Sequence, residues 1–406
     1  MRYLLSALCA VLFPLLVVAQ EQTLRIDYTF SGTDRSQEIS LDEMSCFDGW
    51  AGRRFNLEDV SVRGNGQIAM TDVETGKVLY RQSFSTLFQE WQTTEEATRI
   101  RKSFENVVLL PMPLDKAAVR IELYDFRGNV SSSLTHIVDP EDILIRRISP
   151  KETSYKYLYK GGSVEDCIDV AIVAEGYIRQ EVEKFYDDAL IAMEAILSHS
   201  PFGQYKERFN FVAVALASAD SGVSVPGEGE WKDTALKAHF NTFYMDRYLT
   251  TLRLKNMHDK LCGVPYEHIV ILANTDTYGG GGIFNSYTLT TAGHPAFRPV
   301  VVHEFGHSFA GLGDEYYYDD QFVEYYYPDS EPWEQNITTL KDFDSKWKDM
   351  LDAGQAQLLE GAGYQSKGVY RPAPDCRMHT NKADCFCSVC QRAISRIIEF
   401  YTAARK

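Results

Sequence analysis

The chain has 406 residues, of which 45% are hydrophobic and 24% are charged, close to the average for globular proteins. This composition excludes global disorder and collagen-like or coiled-coil architectures, and the length allows two or three domains. Acidic residues outnumber basic residues by 57 to 41, so the net charge of -16 repels phosphate backbones. We therefore expect no nucleic-acid partner.

The N-terminus is typical of a secretory signal peptide. Arg2 precedes an apolar run from Leu4 to Ala19, which ends in the small residues that signal peptidase requires. The run is shorter than the roughly 20 residues that span a bilayer, and no second apolar run follows it. We therefore predict a signal peptide at 1–19, no transmembrane segment, and a secreted, periplasmic or cell-surface location.

Residues 20–138 consist of short alternating runs separated by Gly, Asn and Asp turns. This pattern predicts an N-terminal antiparallel β-sandwich. The segment contains no group of His, Cys and acidic residues with metal-ligand spacing, so we assign no chemistry to it. Residues 139–165 are predicted to connect the sandwich to a second domain at 166–406.

The second domain alternates apolar runs with amphipathic segments. IDVAIVAEG at 168–176 is typical of a buried strand, and EVEKFYDDALIAMEAIL at 181–197 is typical of an amphipathic helix. FNFVAVALAS at 209–218 and EHIVILAN at 267–274 indicate further buried strands. The sequence therefore predicts an α/β or α+β domain with a mixed sheet.

The segment HEFGH carries the strongest chemical signal. On a helix, His303 and His307 lie on one face and can bind a single metal ion, while Glu304 can act on a water at that ion. Gly311 and Gly313 predict that the helix ends in a left-handed turn, which brings the following residues back toward the histidines. The alternative is a surface helix with two incidental histidines.

The third metal ligand is less clearly marked. Asp314 and Glu315 follow the turn and carry carboxylates that suit zinc. In HExxHxxGxxH zincins the third ligand comes one residue earlier than Asp314 does here, so the register is extended. Asp314 is our choice, with Glu315 and His379 as alternatives. His379 competes because it follows Met378 in PDCRMHTNK, which is similar to the Met-turn beneath the metal of metzincins.

Removal of the signal peptide would leave seven cysteines, an odd number. In an oxidising compartment most of them would pair, so disulfides are their expected use and at least one thiol would stay free or pair between chains. Four lie close together near the C-terminus: Cys376, Cys385, Cys387 and Cys390. A second zinc site made from these four is the alternative, although their spacing is irregular for a zinc ribbon.

Several motifs together resemble the immunoglobulin A metallopeptidase family. They are VAEGY at 173–177, TYGGGGIFNSYT at 277–288, HEFGHSFAGLGDEY at 303–316, and CRM at 376–378 followed by FCSVC at 386–390. The resemblance extends from about residue 166 to the C-terminus, and the preceding β-rich segment resembles the N-terminal domain of that family. Glu175 stands where the family often has Asp.

The resemblance implies a secreted zinc endopeptidase on a metzincin-like scaffold. One catalytic Zn²⁺ would be held by His303, His307 and Asp314. Glu304 would accept the proton of the attacking water, and Met378 would lie in the Met-turn. The expected partner is a protein or peptide substrate, with host glycoproteins such as immunoglobulin A as an expectation at the level of the family.

A tyrosine-rich segment follows the predicted helix and offers donors to stabilise an oxyanion. Its members are Tyr316, Tyr317, Tyr318, Tyr325, Tyr326 and Tyr327.

The run Gly279–Gly282 lacks the Lys-Ser/Thr of a phosphate loop, so we reject nucleotide binding. Residues 283–290 alternate like an edge strand, which suits either a structural turn or pairing with an extended substrate.

Two other function classes remain open from the sequence. One is a secreted binding protein or adhesin with a structural metal, although such a site does not need the carboxylate of Glu304. The other is a metal-dependent amidase that acts on cell-wall or glycan-linked amides. The sequence does not separate an amidase from a peptidase.

Overall fold

The computed structural model describes residues 21–149, 153–318 and 326–403. The predicted signal peptide at 1–19 lies outside these residues, and so does Tyr325. Among the described helices, none is long and apolar enough to cross a lipid bilayer.

The N-terminal part of the protein contains two four-stranded sheets. Their strands are β1 (Gln22–Thr33), β2 (Ser36–Asp48), β3 (Gly66–Asp72), β4 (Val78–Phe84), β5 (Lys102–Pro111), β6 (Ala117–Tyr124), β7 (Val130–Val138) and β8 (Arg146–Arg147). The strand orders are β5-β1-β2-β8 and β4-β3-β6-β7, and only the short pair of β2 and β8 is parallel among them. Ile26, Ile68 and Ile121 from both sheets belong to one apolar cluster, so the sheets share a core.

The second part is built on a six-stranded mixed sheet. Its strands are β9 (Lys156–Lys160), β10 (Ile168–Glu175), β11 (Phe209–Val214), β12 (His268–Ala273), β13 (Gly280–Ile283) and β14 (Tyr287–Thr291). The order is β13-β14-β12-β10-β11-β9, in which the four central strands are parallel and the two edge strands are antiparallel to their neighbours.

Helices and a small sheet complete the described chain. The helices are α1 (Leu87–Trp91), α2 (Val182–Ser198), α3 (Leu254–Lys260), α4 (Phe297–Ala310), α5 (Lys348–Asp352) and α6 (Ser388–Thr402). The small sheet has the order β15-β17-β16 and contains β15 (Tyr317–Tyr318), β16 (Leu359–Ala362) and β17 (Tyr364–Arg371). The protein is therefore a mixed α+β protein.

The central strand β10 explains how the layers stack. All of its residues are buried, and successive side chains of a strand point to opposite faces of the sheet. Val170 and Ile172 pack in one cluster with residues of α2, α4 and α6. Ala171 and Val173 join the cluster that contains the N-terminal sheets. The mixed sheet is thus covered on both faces, as its continuous apolar sequence requires.

Two segments differ from the pattern expected from sequence. The predicted connection at 139–165 contributes β8 to an N-terminal sheet and β9 to the edge of the mixed sheet. The prediction of one edge strand at 283–290 is wrong, because β13 ends at Ile283 and the following β14 is an internal, fully buried strand. The polar positions of β14 face protein rather than water. Thr288, for example, is hydrogen-bonded to Ser308 of α4.

Glu175, at the end of β10, fastens a long loop to the sheet. Its fully buried carboxylate accepts hydrogen bonds from the Thr234 hydroxyl at 2.5 Å, the Leu236 N–H at 2.7 Å and the Ala238 N–H at 2.8 Å. The loop continues to Tyr248, which lines the cleft beside α4. This accounts for an acidic residue before Gly176, to which sequence reasoning gave no role.

We expect Glu175→Ala to lower the free energy of unfolding by about 3 kcal/mol, because each buried donor left without a partner costs about 1–3 kcal/mol. Denaturant unfolding measures this difference. Glu183→Ala, on the exposed side of α2, is the control and should change stability by less than about 0.5 kcal/mol. Equal stability of the two variants would show that the Glu175 contacts do not hold the loop.

Candidate metal centre

The helix α4 presents the predicted site residues to the cleft. Its apolar side chains, including Val302, Phe305 and Phe309, are buried in the cluster that α2 and α6 form on one face of the mixed sheet. The opposite side of the helix faces β13 and the cleft. A Cβ atom on Gly282 of β13 would lie 2.3 Å from the Glu304 carbonyl oxygen and 2.8 Å from the His307 Cβ. The glycine run therefore allows this strand to pack directly on the helix.

The end of α4 forms the predicted left-handed turn. Gly311 has a φ of 58°, and its N–H donates to the carbonyl of His307 at 2.9 Å. The N–H of Leu312 donates to the carbonyl of Gly306 at 3.2 Å, which completes the helix cap. The chain then reverses and carries Asp314 back beside the histidines.

Three side-chain atoms converge at this point. The His303 Nε2 and His307 Nε2 atoms are 3.1 Å apart, and they lie 3.1 Å and 3.2 Å from the same carboxylate oxygen, Oδ1 of Asp314. The side chains of His303, His307 and Asp314 are 13%, 16% and 6% exposed. The cluster is therefore shielded from bulk water but open on the side of the cleft.

The backbone fixes the tautomer of both histidines. The Nδ1 atom of His303 lies 2.9 Å from the carbonyl oxygen of Arg377, and that of His307 lies 2.5 Å from the carbonyl oxygen of Leu312. A carbonyl oxygen only accepts, so each Nδ1 carries a proton, and the neutral form of each ring has its lone pair on Nε2. Both Nε2 atoms and a carboxylate oxygen therefore face one another, an arrangement that a proton or a metal ion between them stabilises.

The electrostatics of the cluster agree with this arrangement. Burial opposes a charge on His307, but the Asp314 carboxylate outweighs it and raises the pKa of His307 to about 9. Burial likewise opposes ionisation of Asp314, yet the two histidines hold the pKa of this carboxyl well below its usual range. The site thus attracts positive charge strongly.

The donor set also fits a divalent metal ion. Ligands about 2.0 to 2.2 Å from one tetrahedral zinc lie about 3.3 to 3.6 Å apart, close to the observed spacing of the three atoms. Oδ1 of Asp314 is buried and faces both Nε2 atoms, so one ion placed among the three atoms would contact all of them. His303, His307 and Asp314 are therefore candidate ligands, and Nδ1 contacts to carbonyls are the usual support of metal-binding histidines.

Glu304 lies beside the candidate ligands on the cleft side. A Cβ atom on Gly280 would lie 2.8 Å from its Oε1, so the glycine is needed to leave room for this carboxylate. Burial raises the pKa of Glu304, although the neighbouring histidines act in the opposite direction. A carboxylate with a raised pKa accepts a proton more readily than one in water.

The N-terminal part of the protein contributes Glu90 to the same cleft, which sequence reasoning missed. The Tyr248 hydroxyl donates to Glu90. Burial raises the pKa of Glu90 to about 7, and the carboxylates of Asp314 and Glu304 raise it further. Only the fold brings this helix of the N-terminal part to the cleft, so no local motif could have identified the residue.

Two further residues missed from sequence hold the Asp314 segment in place. The Tyr364 hydroxyl donates to Oδ2 of Asp314. Asn336 accepts from the Gly313 N–H at 2.7 Å and donates to the Gly313 carbonyl at 2.8 Å. Asp314 comes one residue later than the third ligand of HExxHxxGxxH zincins, and residues distant in sequence hold it in this position.

The predicted tyrosine segment is spread over several environments. Tyr316 stacks against the His303 ring with 6.4 Å between ring centroids. Tyr318 accepts a hydrogen bond from Arg247 at 2.6 Å, whereas Tyr326 donates to Glu334 at 2.9 Å. Tyr316 is therefore the member of this segment that lies against a candidate ligand.

The two alternatives for the third ligand occupy other positions. The Nδ1 atom of His379 lies 3.0 Å from the carbonyl oxygen of Pro374. His379 lines the cleft but does not belong to the group of converging donor atoms. Glu315 is fully buried and its carboxylate approaches the thiol of Cys390 at 3.1 Å instead of the histidines. Met378 is fully buried beneath α4, where its sulfur would lie 2.8 Å from a Cβ atom on Gly306.

The expectation that disulfides are the main use of the cysteines is wrong for the described part of the chain. All seven cysteines at described positions are free. Cys376, Cys387 and Cys390 lie together with Glu315, whereas Cys385 is exposed and outside this group. The structure therefore brings together three of the four clustered cysteines and adds a carboxylate in place of the fourth.

A helix that presents His303, Glu304 and His307 beside a buried carboxylate is the arrangement of metal-dependent hydrolases. The model of the family described as IgA Peptidase M64 matches residues 157–358 and 355–398, and the model described as Peptidase M64 N-terminus matches residues 17–135. The chain belongs to the IgA peptidase M64 family, which is a family of metallopeptidases. A comparison with curated proteins found no match.

We expect Asp314→Ala to lower zinc affinity by at least about 100-fold, because the site loses a charged donor and two lone pairs then face each other alone. Competition with a chromophoric chelator measures the affinity. Asp276→Ala, an exposed carboxylate away from the cluster, is the control. Unchanged affinity in Asp314→Ala would remove this residue from the ligand set and return the role to Glu315 or His379.

Proposed function

We propose that the protein is a secreted zinc endopeptidase in which His303, His307 and Asp314 hold the ion and Glu304 is the general base. The observation that carries this proposal is the convergence of two Nε2 lone pairs and a carboxylate oxygen within 3.2 Å. The position of Glu304 at the same opening distinguishes a hydrolytic site from a structural one. This favours a peptidase over a binding protein with a structural metal.

A zinc ion held by His303, His307 and Asp314 would supply Lewis acidity, which acidifies water and polarises a carbonyl group. Glu304 then accepts a proton from the attacking water. The same carboxyl group returns the proton to the leaving amine when the C–N bond breaks. Its raised pKa suits both transfers, because burial favours the protonated form of this carboxyl group.

Tyr316 is our candidate for the second donor to the developing oxyanion. Its ring lies against His303, and the Tyr364 ring packs edge-on against it with 5.3 Å between centroids. Tyr364 itself donates to Asp314, which leaves Tyr316 as the better candidate of this pair. A tyrosine beside the candidate ligands can supply the kind of hydroxyl donor that acyl transfer uses.

The cleft favours a peptide over a small amide. Its volume is about 1110 Å³, larger than the roughly 300–1,000 Å³ of small-molecule pockets. Both the N-terminal part and the mixed-sheet part line it, including Thr93, Asp125 and Trp333. We propose that an extended segment of a protein substrate lies between them. The family description supports a host glycoprotein such as immunoglobulin A as the substrate class.

We also propose a metzincin-like scaffold for the mixed-sheet part. Met378 is fully buried beneath α4, and its carbonyl accepts the Glu315 N–H at 2.8 Å. The turn that carries Met378 also supplies the Arg377 carbonyl to His303. These contacts support a Met-turn role for this segment.

We expect Glu304→Gln to retain zinc while peptide hydrolysis falls by about 100- to 10,000-fold, the usual contribution of a general base. The amide keeps the size of the side chain but cannot accept the proton. Mass spectrometry of a mixed peptide library incubated with each variant measures cleavage, and metal analysis measures zinc. Glu230→Gln, an exposed substitution outside the cleft, is the matched control. Near-normal cleavage by Glu304→Gln would remove this residue from the mechanism.

A further inference from the structure

A second group of potential metal ligands lies behind the candidate catalytic site. One carboxylate oxygen of Glu315 and the thiol sulfurs of Cys376, Cys387 and Cys390 lie within 4.8 Å of one another. The Cys390 sulfur is 3.1 Å from Oε1 of Glu315, and the Cys376 and Cys390 sulfurs are 3.8 Å apart. Two thiolates about 2.3 Å from one tetrahedral zinc would be about 3.8 Å apart.

Backbone N–H groups point at two of the three sulfurs. The sulfur of Cys376 accepts from the N–H groups of Cys387 at 3.2 Å and Met378 at 3.5 Å. Cys387 caps the N-terminus of α6, where its sulfur accepts from the Cys390 N–H at 3.5 Å. Backbone N–H groups and the positive end of a helix both stabilise negative charge on sulfur.

Glu315 provides an independent sign that a cation belongs here. Its side chain is fully buried, and Oε2 has no hydrogen-bond partner. Oε1 accepts from Asn336 at 3.0 Å and approaches the sulfurs. A fully buried carboxylate oxygen without a donor is unfavourable unless a positive charge lies beside it.

We propose that Glu315, Cys376, Cys387 and Cys390 bind a structural zinc ion, distinct from the catalytic ion. Three thiolates are soft donors that select zinc among the divalent metals available to a protein, and four protein ligands close the site to substrate. Cys385 takes no part, because it is exposed and lies outside the cluster.

The ion would join three segments that build the catalytic site. Glu315 directly follows Asp314. Cys376 directly precedes Arg377, whose carbonyl accepts from His303. Cys387 and Cys390 belong to the start of α6. One ion would therefore fix the Asp314 loop and the Met378 turn against the same helix, and this is the role that we assign to it.

The test uses a full-length variant in which the candidate catalytic site is disabled, His303→Ala combined with His307→Ala. Grown and purified with zinc, this variant should hold about one zinc per chain, and the unchanged protein about two. X-ray absorption at the zinc edge should show about three sulfur ligands near 2.3 Å and one lighter ligand in the disabled variant. This measurement needs no cysteine substitution and no activity.

Adding Cys390→Ser to the disabled variant should lower zinc from about one to near zero per chain, whereas adding Cys385→Ser, the matched control, should leave it unchanged. Thiol trapping after denaturation with a chelator should find Cys376, Cys387 and Cys390 reduced. A zinc-free disabled variant, a zinc spectrum without sulfur, or a disulfide between any two of these cysteines would overturn the proposal. Failure of the proposed peptidase would appear separately, as loss of the other zinc or absence of cleavage.

Discussion

The contacts between two histidine rings and two backbone carbonyls set the geometry of the candidate metal centre. Because Arg377 and Leu312 accept from the Nδ1 atoms of His303 and His307, both Nε2 lone pairs point at one small volume. Asp314 completes that volume with a negative charge. A proton or a metal ion among these atoms offsets the concentration of lone pairs and negative charge. The turn at Gly311, the Asn336 contacts and the Met378 segment can all be understood as supports for this arrangement.

The cleft depends on both parts of the chain. The apolar cluster of the N-terminal sheets continues into one face of the mixed sheet, so that the two parts pack through a common core. This packing places Glu90 near Glu304 and Asp314, where burial raises its pKa to about 7. The N-terminal part therefore shapes the charge of the site, although its own sequence carries no catalytic motif.

Local patterns were sufficient to predict some features and not others. The buried strand at Ile168, the helix with His303 and His307, and the left-handed end at Gly311 follow from periodicity and from glycine's conformational freedom. The internal position of β14 could not be predicted in this way, because its alternating threonines imitate an exposed face, although Thr288 is hydrogen-bonded to Ser308 of α4. Tyr364 was also missed, because a contact between residues distant in sequence leaves no local trace. The sequence also did not predict that Glu315, and not Cys385, lies with Cys376, Cys387 and Cys390, because this contact too joins residues distant in sequence.

The most direct test of the central claim is a crystal structure of the zinc-loaded protein with diffraction data on both sides of the zinc absorption edge. The account predicts an anomalous peak within about 2.0 to 2.2 Å of the His303 Nε2, His307 Nε2 and Asp314 carboxylate atoms, with the Nδ1 contacts to the backbone unchanged. A peak bound by His379 in place of Asp314, or no peak between the two histidines, would contradict it.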